Sequence, residues 1–553
     1  MAISQETALS VSKPAEALEK GRRWALGFAL IVMLVTTIPY LLGYFTQGAD
    51  WRFTGFTFAV EDGNNYIAKM LSGSYGAWLF RTPYTAYPQN GVLAYLPYIL
   101  LGKLAAPQGL HEQLVVLFHF FRIAAGCLAL LATYDFLSFF IQEERLRRWG
   151  LALVAFGGGL GWLLLLIGKD TWLGSMPLDF YSPEVFGFLA LFGIPHLAAA
   201  RAALLWGLLV YLRSTLPGRE FNWRASLVTG VCWLLAALFQ PLTALVMGVI
   251  LGAHLLALLL RNLWQRKNIK DVDWSAWRNA AGFVLVAFVI PAPYLVYLAV
   301  AFTRDPYFIA WSAQNVILSP PIPHYLLAYL VMLPFLPRGI RNLLRDKPWA
   351  GWLPIGWVAV FPLLAYAPVD VQRRLPEGVW VALVLIAVCS VKTERQAGVR
   401  WRTFQIASLL VFPTTIILLV LGVLAGMRSS LPLFRPAQEV AAFEQIAEVA
   451  PPASVVLASY PTGNAMPAWA PVRVLIGHGP ESAGLEDLQP RVEHFFKEST
   501  TDEDRRALID EFGVSYLFYG PAERSLGTWA PASAPFLERI YEDDPYVIFR
   551  VKE

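Results

Sequence analysis

The feature that most constrains this chain is a series of apolar runs long enough to cross a bilayer. A spanning helix needs roughly 20 mostly apolar residues, and about eleven runs meet that test. They cover 24–45, 113–140, 149–167, 187–212, 225–239, 241–260, 280–302, 323–337, 349–366, 378–391 and 402–425, with those starting at 225, 323 and 378 short. Of the 553 residues 56% are hydrophobic and only 15% charged, which excludes an ordinary soluble globule. The fold class expected is a polytopic α-helical membrane protein. A net charge of +4, with no basic cluster interleaved with aromatics, argues against nucleic acid as a partner. Cys127, Cys232 and Cys389 all fall in apolar runs, which suits packing rather than a disulfide or thiolate-metal framework. Residues 1–23 are polar and no small-residue cleavage site follows them, so the first run reads as a retained anchor.

Charge placement sets the expected topology. The run 91–106 is either a short span or a helix lying in the outer interface. If it does not cross, then Arg22-Arg23, Arg145 with Arg147-Arg148, Arg213 to Arg224, Arg261 to Lys270, Arg338 to Lys347 and Lys392 to Arg402 all face the cytoplasm, as the positive-inside rule requires. An odd number of spans then puts the N-terminus inside and the C-terminus outside a cell (plasma) membrane. On this reading residues 1–426 form the membrane module, with a first external loop at 46–112, and residues 427–553 form a small extracytoplasmic α+β domain. Apolar alternations at Val455 to Ala458, Val472 to Ile476, Ser515 to Tyr519 and Val547 to Val551 read as strands. Leu485 to Lys497 and Asp502 to Phe512 read as amphipathic helices.

The polar stretch Val60-Glu61-Asp62-Gly63-Asn64-Asn65-Tyr66-Ile67-Ala68-Lys69-Met70 follows the first span, where a carboxylate meets water and lipid headgroups together. The bland alternative is a solvated acid or a cap for a helix over 64–71. The pattern Asp62-x-x-x-Tyr66-Ile67-Ala68-x-Met70-Leu71-x-Gly73-x-x-Gly76-x-Trp78-Leu79 resembles the first external loop of membrane glycosyltransferases of the C superfamily (GT-C). The aminoarabinose and protein mannosyl transferases belong to that superfamily. The resemblance is specific over residues 24–125 and architectural beyond them. It implies interface helices in the first external loop and a polyprenyl-phosphate-linked sugar as donor. A glycan, lipid or protein would be the acceptor, with transfer on the extracytoplasmic face and inversion at the anomeric carbon. It places the catalytic acid at Asp62, with Glu61 as the other candidate because Glu61 precedes the aligned acid where an Asp-Glu pair is commoner. An acid of the second external loop, Asp179 or Glu184, is implied either to hold a divalent cation (Mg or Mn) or to orient the acceptor. No other cofactor is expected. Ser182 capping a helix, with Pro183 in its first turn, is the competing account of Glu184.

Cations on the wrong side carry information of their own. Arg373 and Arg374 face outward in this topology, where paired guanidiniums suit a lipid phosphate and snorkelling to headgroups is the alternative. Arg304 is a weaker case, since Asp305 stands ready to pair with it. His119, Arg122, His196 and Arg201 lie within spans, and His324 follows a Pro-rich turn; each either lines the donor cavity or makes interhelical hydrogen bonds. The Gly/Pro-rich loops 460–464 and 477–482 suit acceptor recognition, although turn chemistry alone accounts for them. No P-loop, dinucleotide fingerprint or serine elbow is present in the sequence. A transporter or flippase is the rival class, but paired halves with matched interrupted helices are not evident. A non-catalytic scaffold is the third reading.

Overall fold

The computed structural model describes residues 2–106, 110–265, 274–391 and 398–552. Parts of the expected basic clusters Arg261 to Lys270 and Lys392 to Arg402 lie outside them. Among the described residues five helices are long and apolar enough to cross a membrane: Glu19–Thr46, Leu110–Phe140, Pro195–Ser214, Pro241–Trp264 and Trp401–Gly426. Ser275–Phe288 and Ala292–Arg304 make a sixth if they form one span bent by 56°. Pro291 lies in that break, and a proline has no N–H for the helix ladder. Trp223–Phe239 and Trp352–Ala365 are shorter apolar helices. The chain is a multi-pass membrane protein.

The remaining expected runs are divided. The run 149–167 becomes Glu144–Phe156 and Gly161–Leu166, parted at the triplet Gly157-Gly158-Gly159. The run 323–337 starts as Ile322–Tyr329 and breaks before Pro334. The run 378–391 holds only the helix Val379–Val388, buried at every residue. A helix apolar on all faces belongs in a core. Neighbours approach it closely: a Cβ on Gly339 would lie 1.9 Å from the Ile386 carbonyl oxygen. In the run 91–106 the only helix is Leu96–Gly102, at seven residues about 10 Å long and far too short to span.

The chain divides into two compact units. The first gathers Met1–Thr37, Phe121–Val296 and Ile317–Val420, and its core is an apolar cluster built around Val379–Val388 and the helices Leu110–Phe140 and Pro195–Ser214.

The second gathers Ile38–Phe120, Tyr297–Val316 and Leu421–Glu553, so the polar stretch after the first span and the C-terminal segment share one unit. Strand β1 (Trp51–Phe53) pairs antiparallel with β2 (Phe434–Pro436). The five-stranded sheet uses β3 (Val455–Leu457), β4 (Arg473–Val474), β5 (Val514–Tyr519), β6 (Leu537–Asp543) and β7 (Tyr546–Val551) in the order β4-β3-β5-β7-β6. β4, β3 and β5 are parallel, while β7 and β6 are antiparallel. The expected strands and the helices Leu485–Phe495 and Asp502–Phe512 are all present. The first loop packs on this α/β segment: the Val474 amide donates to the Pro83 carbonyl at 2.8 Å, and Tyr87 meets Phe512 edge to face.

Candidate active site

Glu61 and Asp62 occupy the first turn of the helix Val60–Ser74, which begins earlier than a start at residue 64. Ala59 at its N-cap is left-handed, with φ 49°, so the backbone bends just before the two acids. Strained residues of this kind cluster at functional sites. The helix N-terminus favours the two negative charges. Gly63 is required for packing: a Cβ there would lie 2.4 Å from the Phe56 ring.

Asp62 keeps 53% of its side chain exposed, with Oδ1 3.4 Å from His478 Nε2. Glu61 accepts hydrogen bonds from the Tyr460 hydroxyl and from the Gly479 amide. Both acids are therefore held by the C-terminal segment, Glu61 more tightly than Asp62.

Beneath them lies a buried polar network. Lys69 Nζ donates to Glu481 Oε1 at 2.7 Å and to Asn65 Oδ1 at 2.6 Å, with the lysine and glutamate side chains 1% and 3% exposed. That bond orients the Asn65 amide so that Nδ2 donates to Glu481 Oε1 at 2.7 Å and faces His478 Nε2 at 3.1 Å. Thr82 donates to Glu481 Oε2 at 2.5 Å. Burial alone would push the Glu481 carboxyl up, but Lys69, His478 and the donated hydrogen bonds outweigh it and hold it below the usual carboxylate range. Asn64 Nδ2 donates to Asn464 Oδ1 at 2.8 Å. Asn64, Asn65 and Lys69 thus make the buried face of the acid helix polar, and the loops 460–464 and 477–482 supply its partners.

The spacing within the polar stretch has structural causes. Tyr66 stacks on Tyr98 at 4.8 Å and lies 5.9 Å from Phe118. Gly73 and Gly102 let the helices Val60–Ser74 and Leu96–Gly102 touch: Cβ atoms there would lie 2.1 Å from the Ile99 oxygen and 1.8 Å from the Met70 oxygen. Trp78 is exposed beneath the Lys103 ammonium at 4.1 Å.

Two other candidates lie in this unit. Arg304 is exposed at the end of its helix, and Asp305 spends its carboxylate on the Tyr307 amide at 2.9 Å and the Asn90 side chain at 2.7 Å. His119 meets the Gly55 carbonyl at 2.9 Å and the Tyr40 ring at 4.5 Å.

The first unit holds the other named residues. Asp179 is buried, and its Oδ2 accepts from Thr414 at 2.5 Å and from the Gly159 amide at 3.2 Å; burial raises its carboxyl. It pins the break after Phe156. Glu184 is buried beside Ser182 Oγ at 3.4 Å, with Arg374 Nε at 3.7 Å. Arg373 lies 4.5 Å over the Tyr181 ring, and its buried Nε has no hydrogen-bond partner. The structure thus brings Tyr181, Glu184, Arg373 and Arg374 together. Arg201 pairs with buried Glu377 at 2.7 Å, and Arg122 donates to Thr36, Thr37 and the Leu191 carbonyl. His196 is partly buried near the start of Pro195–Ser214. His324 Nε2 meets the Trp172 carbonyl at 2.7 Å.

Among the described residues no group of three or more His, Cys, Asp or Glu side chains is placed to hold a metal ion. Asp179 and Glu184, the two acids from which one is expected to hold a divalent cation or orient the acceptor, contact the partners just named.

Sequence reasoning missed Lys69 as part of the site, and it named Tyr460, His478 and Glu481 only within the loops 460–464 and 477–482, without linking them to the acids. The signal available was Lys69 four residues after Asn65, one helical turn further along the same face.

No protein-family model matches the chain, and no curated protein sequence matches it. Solved structures do. The oligosaccharyltransferase of Archaeoglobus fulgidus, tethered with an acceptor peptide, superposes with TM-score 0.52 at 13% identity over 96% of this chain and 74% of that one. ArnT from Cupriavidus metallidurans in the apo state gives 0.52 at 13% identity over 95% and 98%. The arabinofuranosyltransferase AftD from Mycobacteria gives 0.53 at 14% identity, covering 96% of this chain but 40% of that one. These neighbours are GT-C glycosyltransferases. This chain shares their GT-C fold over 95–96% of its length.

Proposed function

We propose that the chain is an integral-membrane glycosyltransferase that moves a sugar from a polyprenyl-phosphate donor to an acceptor hydroxyl or amide on the extracytoplasmic face. The observation that carries this reading is the half-exposed Asp62 carboxylate in the first turn of the helix that follows the first span, held by a C-terminal histidine within a GT-C fold. ArnT has been solved bound to undecaprenyl phosphate, and the Archaeoglobus enzyme in complex with a dolichol-phosphate; both suit a lipid-phosphate donor here.

Asp62 is the proposed general base. As the acceptor oxygen or nitrogen attacks the anomeric carbon, its proton passes to Asp62, the bond from that carbon to the phosphate oxygen breaks, and the lipid phosphate leaves as an anion. One displacement inverts the centre. Glu61, already engaged by Tyr460 and Gly479, is proposed to hold the local geometry. Arg373, with its unpartnered buried Nε, and Arg374 are proposed as cations for a donor phosphate, where a guanidinium makes strong charge-assisted hydrogen bonds, and exposed Arg304 is a separate candidate for that role. Glu184 is proposed to orient Arg374. No step is assigned to a metal. The proposed boundary near residue 426, eleven crossings, a cytoplasmic N-terminus and an extracytoplasmic C-terminal segment complete the reading. The buried charges a transport pathway would use, Arg122 and Arg201, are bonded to fixed partners, which favours catalysis over transport.

The test is in-membrane transfer from a radiolabelled polyprenyl-phosphate sugar. Asp62→Asn is expected to lower the rate by about 10²- to 10⁴-fold, the range for a lost general base. Glu61→Gln is expected to cost less. Full activity in Asp62→Asn would remove the assignment of the base.

A further inference from the structure

The sheet order β4-β3-β5 places a topological switch point between β3 and β5. After β3 the chain adds β4 on one side, and after β4 it crosses over to add β5 on the other, all three strands running parallel. In open α/β sheets ligands bind in the crevice outside the carboxyl ends of the strands at such a point. A cavity of about 280 Å³ lies there. Ser459, Tyr460 and Pro461, which follow β3, form one wall, and Ala522 and Ser525, which follow β5, form another. Gln489 and Glu493 of the helix Leu485–Phe495 close it, bonded to each other at 3.0 Å. The cavity therefore lies at the topological switch point.

The chemistry of the lining narrows the ligand. In nucleotide sites at this position, loop amides and a helix N-terminus cradle phosphate. Here Glu523 already occupies that role: its Oε1 accepts from the Ser459 amide at 2.9 Å and hydroxyl at 2.6 Å, and its Oε2 from the Gly520 amide at 2.9 Å. A carboxylate thus takes the amides of both loops at the switch point. Among the described residues that line the cavity, Glu493 is the one charged side chain. An anion would be repelled, while a neutral or cationic ligand rich in hydroxyls would meet an aromatic wall, an amide, a carboxylate and a serine hydroxyl. The volume lies near the lower end of ligand pockets, which suits about one ring.

We infer that this crevice binds a single uncharged or amino sugar residue. Naming it a residue of the acceptor rests on the glycosyl-transfer reading above. Tyr460 then has two roles: it lines the crevice, and its hydroxyl donates to Glu61 beside Asp62. Occupancy is read directly at the acid pair, and Tyr460 acts there as a positioning residue.

Saturation-transfer NMR on the full chain in nanodiscs, with methyl α-mannoside, methyl β-galactoside, methyl α-arabinofuranoside and methyl glucosaminide as probes, tests this. At least one probe is expected to bind, with AMP and inorganic phosphate failing to compete. Glu493→Ala and Gln489→Ala, both on partly exposed helix positions, are each expected to weaken binding about ten-fold, as loss of a hydrogen bond to the ligand does. Ser525→Trp at an exposed wall is expected to fill the crevice and abolish the signal. Tyr460→Phe keeps the ring, so binding persists while the bond to Glu61 is lost; transfer is expected to fall with KM for the acceptor little changed. Displacement by AMP, absence of binding by every probe, or unchanged binding in Glu493→Ala, Gln489→Ala and Ser525→Trp would each overturn the inference. Asp62→Asn separates the two readings. If native protein binds the probe as Asp62→Asn does but transfers no sugar, the function fails and the crevice stands. If transfer occurs with no crevice binding, the reverse holds.

Discussion

Lys69 and Glu481 show how much a single buried pair decides here. Both side chains are almost fully out of water, so removing one partner leaves an uncompensated charge, at a cost of about 3–5 kcal/mol. Lys69→Met is expected to lower the thermal unfolding midpoint of the purified chain by that equivalent. Lys69→Met with Glu481→Leu should recover most of the loss, because neither charge is then stranded. The pair also sets an acid limit. Glu481 titrates below its unfolded value of about 4.3, so its contribution is complete above that value and is lost as pH falls through the lower folded one. The thermal unfolding midpoint, followed from pH 6 to pH 3, should therefore fall more steeply in the native chain than in Glu481→Gln. A flat native profile over that window would contradict the assignment. At this scale the acids themselves were legible in the sequence, since Glu61 and Asp62 stand in the polar stretch that follows the first apolar run. Their partners were not: Asp62 meets His478 across 416 positions, and no local periodicity encodes a contact of that separation.

The helix Val60–Ser74 is the element that turns those residues into a site. Its polar buried face is unusual for a helix beside a membrane span, and it is tolerated because Asn64, Asn65 and Lys69 each find a partner. Its opposite packing depends on Gly73 and Gly102, where backbone meets backbone. Gly102→Ala is expected to cost about 1–3 kcal/mol through overpacking and to reduce transfer by shifting Asp62. Thermal unfolding measured beside the transfer assay checks both, and an unchanged midpoint would show that the two helices can part without cost. The sequence pattern around Tyr66 and Gly73 was readable as a unit, but its reasons are aromatic stacking and helix contact. Helix starts are harder to read: Ala59 in a left-handed conformation begins the helix before both acids, and nothing in its residue type announces that.

For the molecule as a whole, the proposed topology makes a direct prediction. Ser499→Cys, on an exposed stretch of the C-terminal segment, should react with a membrane-impermeant maleimide in intact cells, while Arg219→Cys should react only after permeabilisation. Cytoplasmic labelling at residue 499 would overturn the sidedness and with it the outward position of Arg373 and Arg374. The apolar runs by themselves determined that this chain lies in a membrane and where its helices concentrate, because roughly 20 apolar residues have few other places to go. Alternation of apolar residues likewise determined the strands and helices of the C-terminal segment. Only the tertiary structure decided that this segment clamps the polar stretch after the first span, that Asp62 faces His478, and that the expected second-loop acids are engaged by their own neighbours. Those outcomes depend on which polar groups meet once the chain is folded, and the cost of leaving any of them unpaired in the interior selects one arrangement from many that the sequence pattern allows.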